Sequence, residues 1–170
     1  MRLQLIAILS FIASARAFGA EGSAPCVFCE IAAGRVSANS IIYRDGSVVA
    51  FMDRAPRNPG HVLVVPIRHA EGIQDVPAPT LAHMAEVAQR VVHAIKRTDL
   101  KAEGFNLESN IGKAAGQSVF HLHLHVIPRY AGEPAAVSPK PIAPVAEVET
   151  VAAKLRTALQ DMTDGIPPAP

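Results

Sequence analysis

The chain has 170 residues, a net charge of +1 and 18% charged residues, which is long enough for one domain with its own core and too evenly charged to hold nucleic acid by bulk electrostatics. The hydrophobic fraction of 49% is inflated by the first twenty residues. A small anionic ligand remains compatible with this balance, because it needs only a local cluster of donors.

Residues 1–20 carry one positive charge at Arg2, an apolar run from Leu3 to Ala13, and then small residues containing Ala15-Arg16-Ala17. This is the layout of a secretory signal peptide, and the run is short for a membrane span. Cleavage is expected after Ala17 or Ala20, with an uncleaved N-terminal anchor as the alternative. The remainder is expected to be exported, to a bacterial periplasm, with no membrane contact after cleavage. Cys26 and Cys29 form a C-x-x-C. In an exported protein this reads as a disulfide, as a redox pair, or, given two further ligands, as half of a zinc site.

Cys26 to Ala33 predicts a short helix, with Gly34 just past its end. Ser40 to Arg44 and Ser47 to Asp53 flank Asp45-Gly46, which predicts a β-hairpin closed by a type I′ turn. A loop from Arg54 to Gly60, stiffened by Pro56 and Pro59, leads into the apolar strand His61 to Ile67, ended by Pro66. His61 and His69 bracket that strand. From Thr80 to Thr98, Leu81, Met84, Ala85, Ala88, Val91, Val92 and Ile95 fall at helical spacing, with Thr80 as the expected N-cap. His83 and His93 sit on the charged face and are assigned no role. Phe105 to Asn110 alternates like a strand, and Ile111 to Gly116 is a small-residue loop whose amides suit an anion.

The most informative stretch runs from Gln117 to Pro128. His121, His123 and His125 alternate with apolar residues, predicting a strand with the three imidazoles on one face. Side chains two apart on a strand are roughly 6.6 Å apart, so the three rings would form a row able to hold a phosphate chain or a metal. A proline-rich linker (131–145), a second amphipathic helix (146–163, with Val148, Val151, Ala152, Leu155, Leu159 and Met162) and a disordered tail (164–170) are expected to follow. Antiparallel strands interrupted by one long helix argue for an α+β domain.

His121-Leu-His-Leu-His125-Val-Ile, together with Phe51-Met-Asp53, Pro59-Gly-His61-Val-Leu-Val64, Gly116-Gln-Ser118 and Pro128-Arg129, resembles the histidine-triad (HIT) family of nucleotide hydrolases and transferases over residues 21–130. The resemblance implies a HIT-like fold: an antiparallel sheet of about five strands, one long helix and a short N-terminal helix. It also implies a homodimer and a nucleotide substrate. His123 is then the nucleophile, attacking the α-phosphorus to give a covalent nucleotidyl-histidine. His125, Gln117, Ser118 and Asn110 are the donors to the phosphate oxygens, and His61 buttresses the nucleophile's strand. Asp53 takes the ribose hydroxyls, while Ile31, Phe51 and Val27 belong to the base pocket. By the same resemblance Cys26, Cys29, His69 and His121 form a structural Cys2His2 zinc site, with a disulfide as the alternative. The substrate is left open between a nucleoside phosphoramidate and a dinucleoside polyphosphate. Two other readings stand beside the hydrolase: a non-catalytic nucleotide-binding or sensing protein, and a metal hydrolase using the three triad histidines as ligands.

Export carries its own test: N-terminal sequencing of the mature protein should begin at Phe18 or Glu21, and recovery of an intact Met1 terminus from the cytoplasmic fraction refutes it.

Overall fold

A computed structural model describes residues 25–35, 40–134 and 141–162. The expected signal segment, residues 135–140 of the linker and the tail 164–170 lie outside the described residues. The elements in chain order are α1 (Val27–Ala32), β1 (Ile41–Arg44), β2 (Val48–Met52), β3 (Val62–Pro66), α2 (Ala78–Lys96), β4 (Gly104–Glu108), β5 (Leu124–Arg129) and α3 (Val145–Asp161). The strands form one antiparallel sheet in the order β1-β2-β3-β5-β4, the five-stranded α+β arrangement expected.

Strands β2 and β3 are buried along their whole length, because both faces of the sheet are covered and period-two alternation gives each face its own apolar set. Val48, Ala50, Met52, Val62, Val64 and Val126 pack against α2 and α3. Val49, Phe51, Leu63 and Val65 face the other way, onto Phe28 and Ala32 of α1. Leu63 pairs with His125 in the ladder, so His125 projects on the α1 side. That side is the one that carries the candidate site.

Helix α1 has only six residues, too few to be stable alone. It is held by burial of Phe28, whose ring meets Phe51 edge-on at 5.4 Å between centroids, a contact contributing about 1.5–3 kcal/mol by area. Gly34, at φ +72°, ends it as anticipated. Helix α2 begins at Ala78 rather than after Thr80. Pro77 is its N-cap and Pro79 lies in its first turn, where the missing N–H costs nothing and the fixed φ suits the helix. Its buried arc also takes in Val87 and Ala94, while Ala85 is exposed. The arc widens because α2 packs on both the sheet and α3. Helix α3 contributes Ala152, Leu155, Ala158, Leu159 and Met162 to the same core and donates from Arg156 to the Ile41 carbonyl on edge strand β1.

The hairpin forms, but not with a type I′ turn, since neither Asp45 nor Gly46 has positive φ. The Asp45 carboxylate closes it instead, accepting from the Ser47 and Val48 amides, both at 2.8 Å, as an Asx turn does. Oδ2 of Asp45 also accepts from Tyr43 (2.6 Å) and meets His83 Nε2 at 2.5 Å. His83, unassigned from sequence, thus ties α2 to the turn, with Glu86 on its other nitrogen at 2.9 Å. Gly60, at φ +83°, is required where the 54–60 loop closes on the sheet: a Cβ there would lie 3.0 Å from Leu100 and 3.1 Å from Pro128.

Burial pushes Asp45 up, but its hydrogen bonds outweigh that and leave the carboxyl well below the usual carboxylate range. Hydrogen bonds to Asp45 and Glu86 raise His83 above the ordinary imidazole value. A raised histidine stabilises the fold fully below its unfolded pKa and loses that contribution as pH rises through the folded value. The stability gap between wild type and His83→Ala, measured by urea denaturation, should therefore be larger at about pH 6 than at about pH 9, by no more than about 1 kcal/mol.

Candidate active site

The strand expected from Gln117 starts only at Leu124. The reason lies in its neighbour. β3 ends at Pro66, which has no N–H to extend a ladder, and the Pro66 carbonyl accepts from the His121 ring Nε2 at 2.9 Å instead. Residues 118–123 therefore run as an irregular entry: the His121 amide turns back to Val119 O, and the Leu122 amide reaches Ala70 O. Side-chain alternation survives without the ladder. Leu122 and Leu124 face the α2 core, and the three histidines face α1.

They are not three equal members of a row. His123 donates Nδ1–H to the His121 carbonyl at 2.7 Å, which leaves the lone pair on Nε2. Its ring is held edge-on between Phe28 and His125, with centroids 5.3 and 4.8 Å away, and its carbonyl accepts from Ser109 Oγ at 2.8 Å. His125 Nδ1 lies 2.9 Å from His61 Nε2. Burial holds both His61 and His125 well below the ordinary imidazole value, so both rings are neutral and their proton positions follow from their partners. The Arg57 amide points at His61 Nδ1 at 3.1 Å and can only donate. His61 thus accepts at Nδ1 and donates from Nε2 to His125 Nδ1, which places the His125 proton on Nε2. His61, expected to buttress the nucleophile's strand, makes its side-chain bond to His125.

His121 belongs to a different cluster. Its Nδ1 lies 3.4 Å from Cys26 Sγ and 3.5 Å from Cys29 Sγ, and His69 Nδ1 lies 3.3 Å from Cys29 Sγ. The four candidate ligand atoms all fall within 4.8 Å of one another. Two ligands on one zinc, with Zn–S near 2.3 Å and Zn–N near 2.0–2.1 Å, are about 3.6 Å apart, so these separations suit one metal ion. Burial keeps the His121 ring neutral, and the bond from Nε2 to Pro66 turns the Nδ1 lone pair toward the sulfurs, an arrangement typical of ligating histidines. Both thiols are free rather than joined. The nitrogens of the three triad histidines form no common cluster among the described residues.

The other sequence-predicted residues are placed unevenly. Asp53 accepts from the Ala55 amide through Oδ1 (2.8 Å), and its Oδ2 lies 3.5 Å from His61 Nδ1. Gln117 is buried, with Oε1 accepting from the Gly112 amide (2.7 Å) and Nε2 donating to Glu71 O (2.8 Å). Its carboxamide thus ties down the loop before the triad. Ser118 is exposed and Asn110 half-buried. Phe51 is 2% exposed and lies beneath Phe28, Ile31 packs at the edge of that apolar cluster, and Val27 is exposed. Phe28, Ser109, Arg57 and Glu108 were not singled out from sequence. Only Phe28 left a signal, as a large apolar side chain between two candidate ligands on a helical turn.

Residues 35–132 match the family model described as the HIT domain. The chain belongs to the HIT family. A HIT-like protein of Methanocaldococcus jannaschii is 41% identical over 108 residues, covering 64% of this chain and 81% of that protein. The adenylylsulfatase HINT3 of Arabidopsis thaliana is 36% identical over 104 residues, or 61% of this chain and 52% of that one. Among solved structures, a zinc-bound histidine triad family protein from Mycobacterium smegmatis superposes with a TM-score of 0.72 at 38% identity, over 82% of this chain and 96% of its own. The HIT fold is thus common to this chain and that solved relative, and helix α3 lies beyond residues 35–132.

Proposed function

We propose that this HIT protein is a nucleotide hydrolase or nucleotidyl transferase, cleaving at the α-phosphate of nucleoside phosphoramidates or dinucleoside polyphosphates. The observation that carries the reading is the His123 ring, whose Nδ1–H is committed to the His121 carbonyl, so that Nε2 is the nitrogen left to act as the nucleophile. Family membership and the adenylylsulfatase among the relatives support the substrate class.

His123 Nε2 forms a bond to the α-phosphorus as the bond from phosphorus to the leaving group breaks, and the leaving group departs with the bonding pair and takes up a proton. Water then forms a P–O bond as the P–N bond breaks and gives up one proton to solvent, releasing nucleoside monophosphate and returning a neutral His123. Two short displacements replace one slow one. Charge building on the non-bridging oxygens is met by His125 Nε2–H, with Ser118 and Asn110 as further donors. Gln117 holds the 112–117 loop through its two backbone bonds and retains one amide hydrogen. Asp53 takes ribose hydroxyls, and Val27 and Ile31 flank the base, with Phe51 behind them.

Cys26, Cys29, His69 and His121 would hold a structural zinc, supported by the donor chemistry, the ligand spacing and the zinc-bound relative. Such an ion supplies a cross-link rather than a reactive centre, joining six-residue α1 to the triad.

Incubating the purified protein with a nucleoside phosphoramidate or a diadenosine polyphosphate should release nucleoside monophosphate, and His123→Ala should lower the rate by at least about 10³-fold. Tight nucleotide binding without turnover over both substrate classes favours a binding or sensing protein instead. Metal analysis should return about one zinc per chain, retained in His123→Ala and lost in Cys26→Ser. Zinc that stays with Cys26→Ser at full occupancy refutes the ligand set.

A further inference from the structure

The loop between Asp53 and His61 reaches the site through one residue, twice. Arg57 donates its main-chain N–H to His61 Nδ1 at 3.1 Å, and its guanidinium Nη1 donates to Glu108 Oε1 of β4. Glu108 is the β4 residue paired with His125, and Leu63 pairs with His125 from the other side. The ion pair therefore joins the loop to the strand beside His125, while the amide joins it to the ring that hydrogen-bonds His125. The two charged side chains are 23% and 35% exposed, so water screens them less than it does a fully exposed pair.

His61 Nδ1 has two neighbours of opposite kind. The Arg57 amide is a donor and requires a lone pair on Nδ1. Asp53 Oδ2, at 3.5 Å from the same nitrogen, is an acceptor and would favour a proton there. The choice propagates. With the proton on His61 Nε2, His125 accepts at Nδ1 and carries N–H at Nε2. With the proton on His61 Nδ1, the His61 Nε2 lone pair takes a hydrogen from His125 Nδ1, and His125 turns a lone pair, not an N–H, toward an anionic substrate. His61 is 1% exposed, so no solvent shell averages these states.

We propose that Arg57 is a positioning residue: anchored by Glu108, it keeps its amide on His61 Nδ1 against the pull of Asp53, and thereby keeps an N–H on His125 Nε2 for the substrate's phosphate oxygens. The last clause rests on the hydrolase reading; the tautomer assignment does not. Asn58 holds the same loop to Pro128 O at 2.8 Å, and Tyr130 holds it to Pro59 O at 2.8 Å. The loop should therefore stay docked when Arg57 is trimmed, and only the amide should be freed to shift.

The test uses full-length, 15N-labelled protein and long-range imidazole spectra, which distinguish protonated from unprotonated ring nitrogens. Wild type should show Nε2–H and bare Nδ1 on both His61 and His125. Arg57→Ala and Glu108→Ala should each shift both rings toward Nδ1–H. They should also lower kcat by about tenfold with KM within about twofold. The reversed pair, Arg57→Glu with Glu108→Arg, should recover the wild-type tautomers and most of kcat, a rescue that a merely structural role does not produce. If either alanine variant fails to fold, Arg57→Gln and Glu108→Gln carry the same comparison. Unchanged tautomers in the single variants, or a reversed pair no better than the singles, overturn the proposal. Shifted tautomers in a protein that turns over no nucleotide leave Arg57's role standing and refute the hydrolase reading instead.

Discussion

The hydrogen bond from His123 Nδ1 to the carbonyl of His121 joins two sites that would otherwise be independent. One residue faces both ways: the His121 peptide oxygen orients the His123 ring, while the His121 side chain points Nδ1 at Cys26 and Cys29. The bond from His121 Nε2 to Pro66 O fixes the side chain in that orientation. With His121 fully buried, none of these partners can be exchanged for water without the cost of an unmet buried polar group. Whatever displaces the cysteine cluster therefore displaces the acceptor on which the His123 tautomer depends.

Phe28 makes a second connection between the same two regions. It lies between the two cysteines in sequence and meets the rings of both His121 and His123, at 5.9 and 5.3 Å. A helix of one and a half turns gains little from its own hydrogen bonds, so α1 keeps its place through this aromatic contact and through the side chains at its start. The sheet supplies the rigidity beneath: α2 and α3 fill one face with aliphatic side chains, which leaves the other face free to carry polar groups without loss of a core.

Much of this was legible in the sequence. Apolar alternation located β2 and β3, helical spacing located α2 and α3, and alternation within the triad put His121, His123 and His125 on one face. The misplacements have local causes. Asp45-Gly46 did make a hairpin, but the carboxylate found two backbone amides and the turn had no need of positive φ. Thr80 yielded the cap position to Pro77 because Pro79 can occupy a first turn that tolerates its missing N–H. Gln117 reads as a free donor in a motif, yet in space its carboxamide meets Gly112 and Glu71.

What the sequence determined by itself is whatever depends on period and residue type: the element order, the faces, the donor chemistry of a C-x-x-C and a triad, and the family. Tertiary structure alone decided the division of labour among the histidines. That division turns on which atom each ring nitrogen meets: a carbonyl for His123, two thiols for His121, a second imidazole for His125. The partners of the His121 and His125 rings come from residues 26, 29 and 61 and from a strand that ends at Pro66, tens of positions away along the chain, while the carbonyl met by His123 comes from His121, within the irregular entry to β5. Spacing within a motif specifies how side chains alternate, but a tautomer is set by contact, and contact across such separations is a property of the fold.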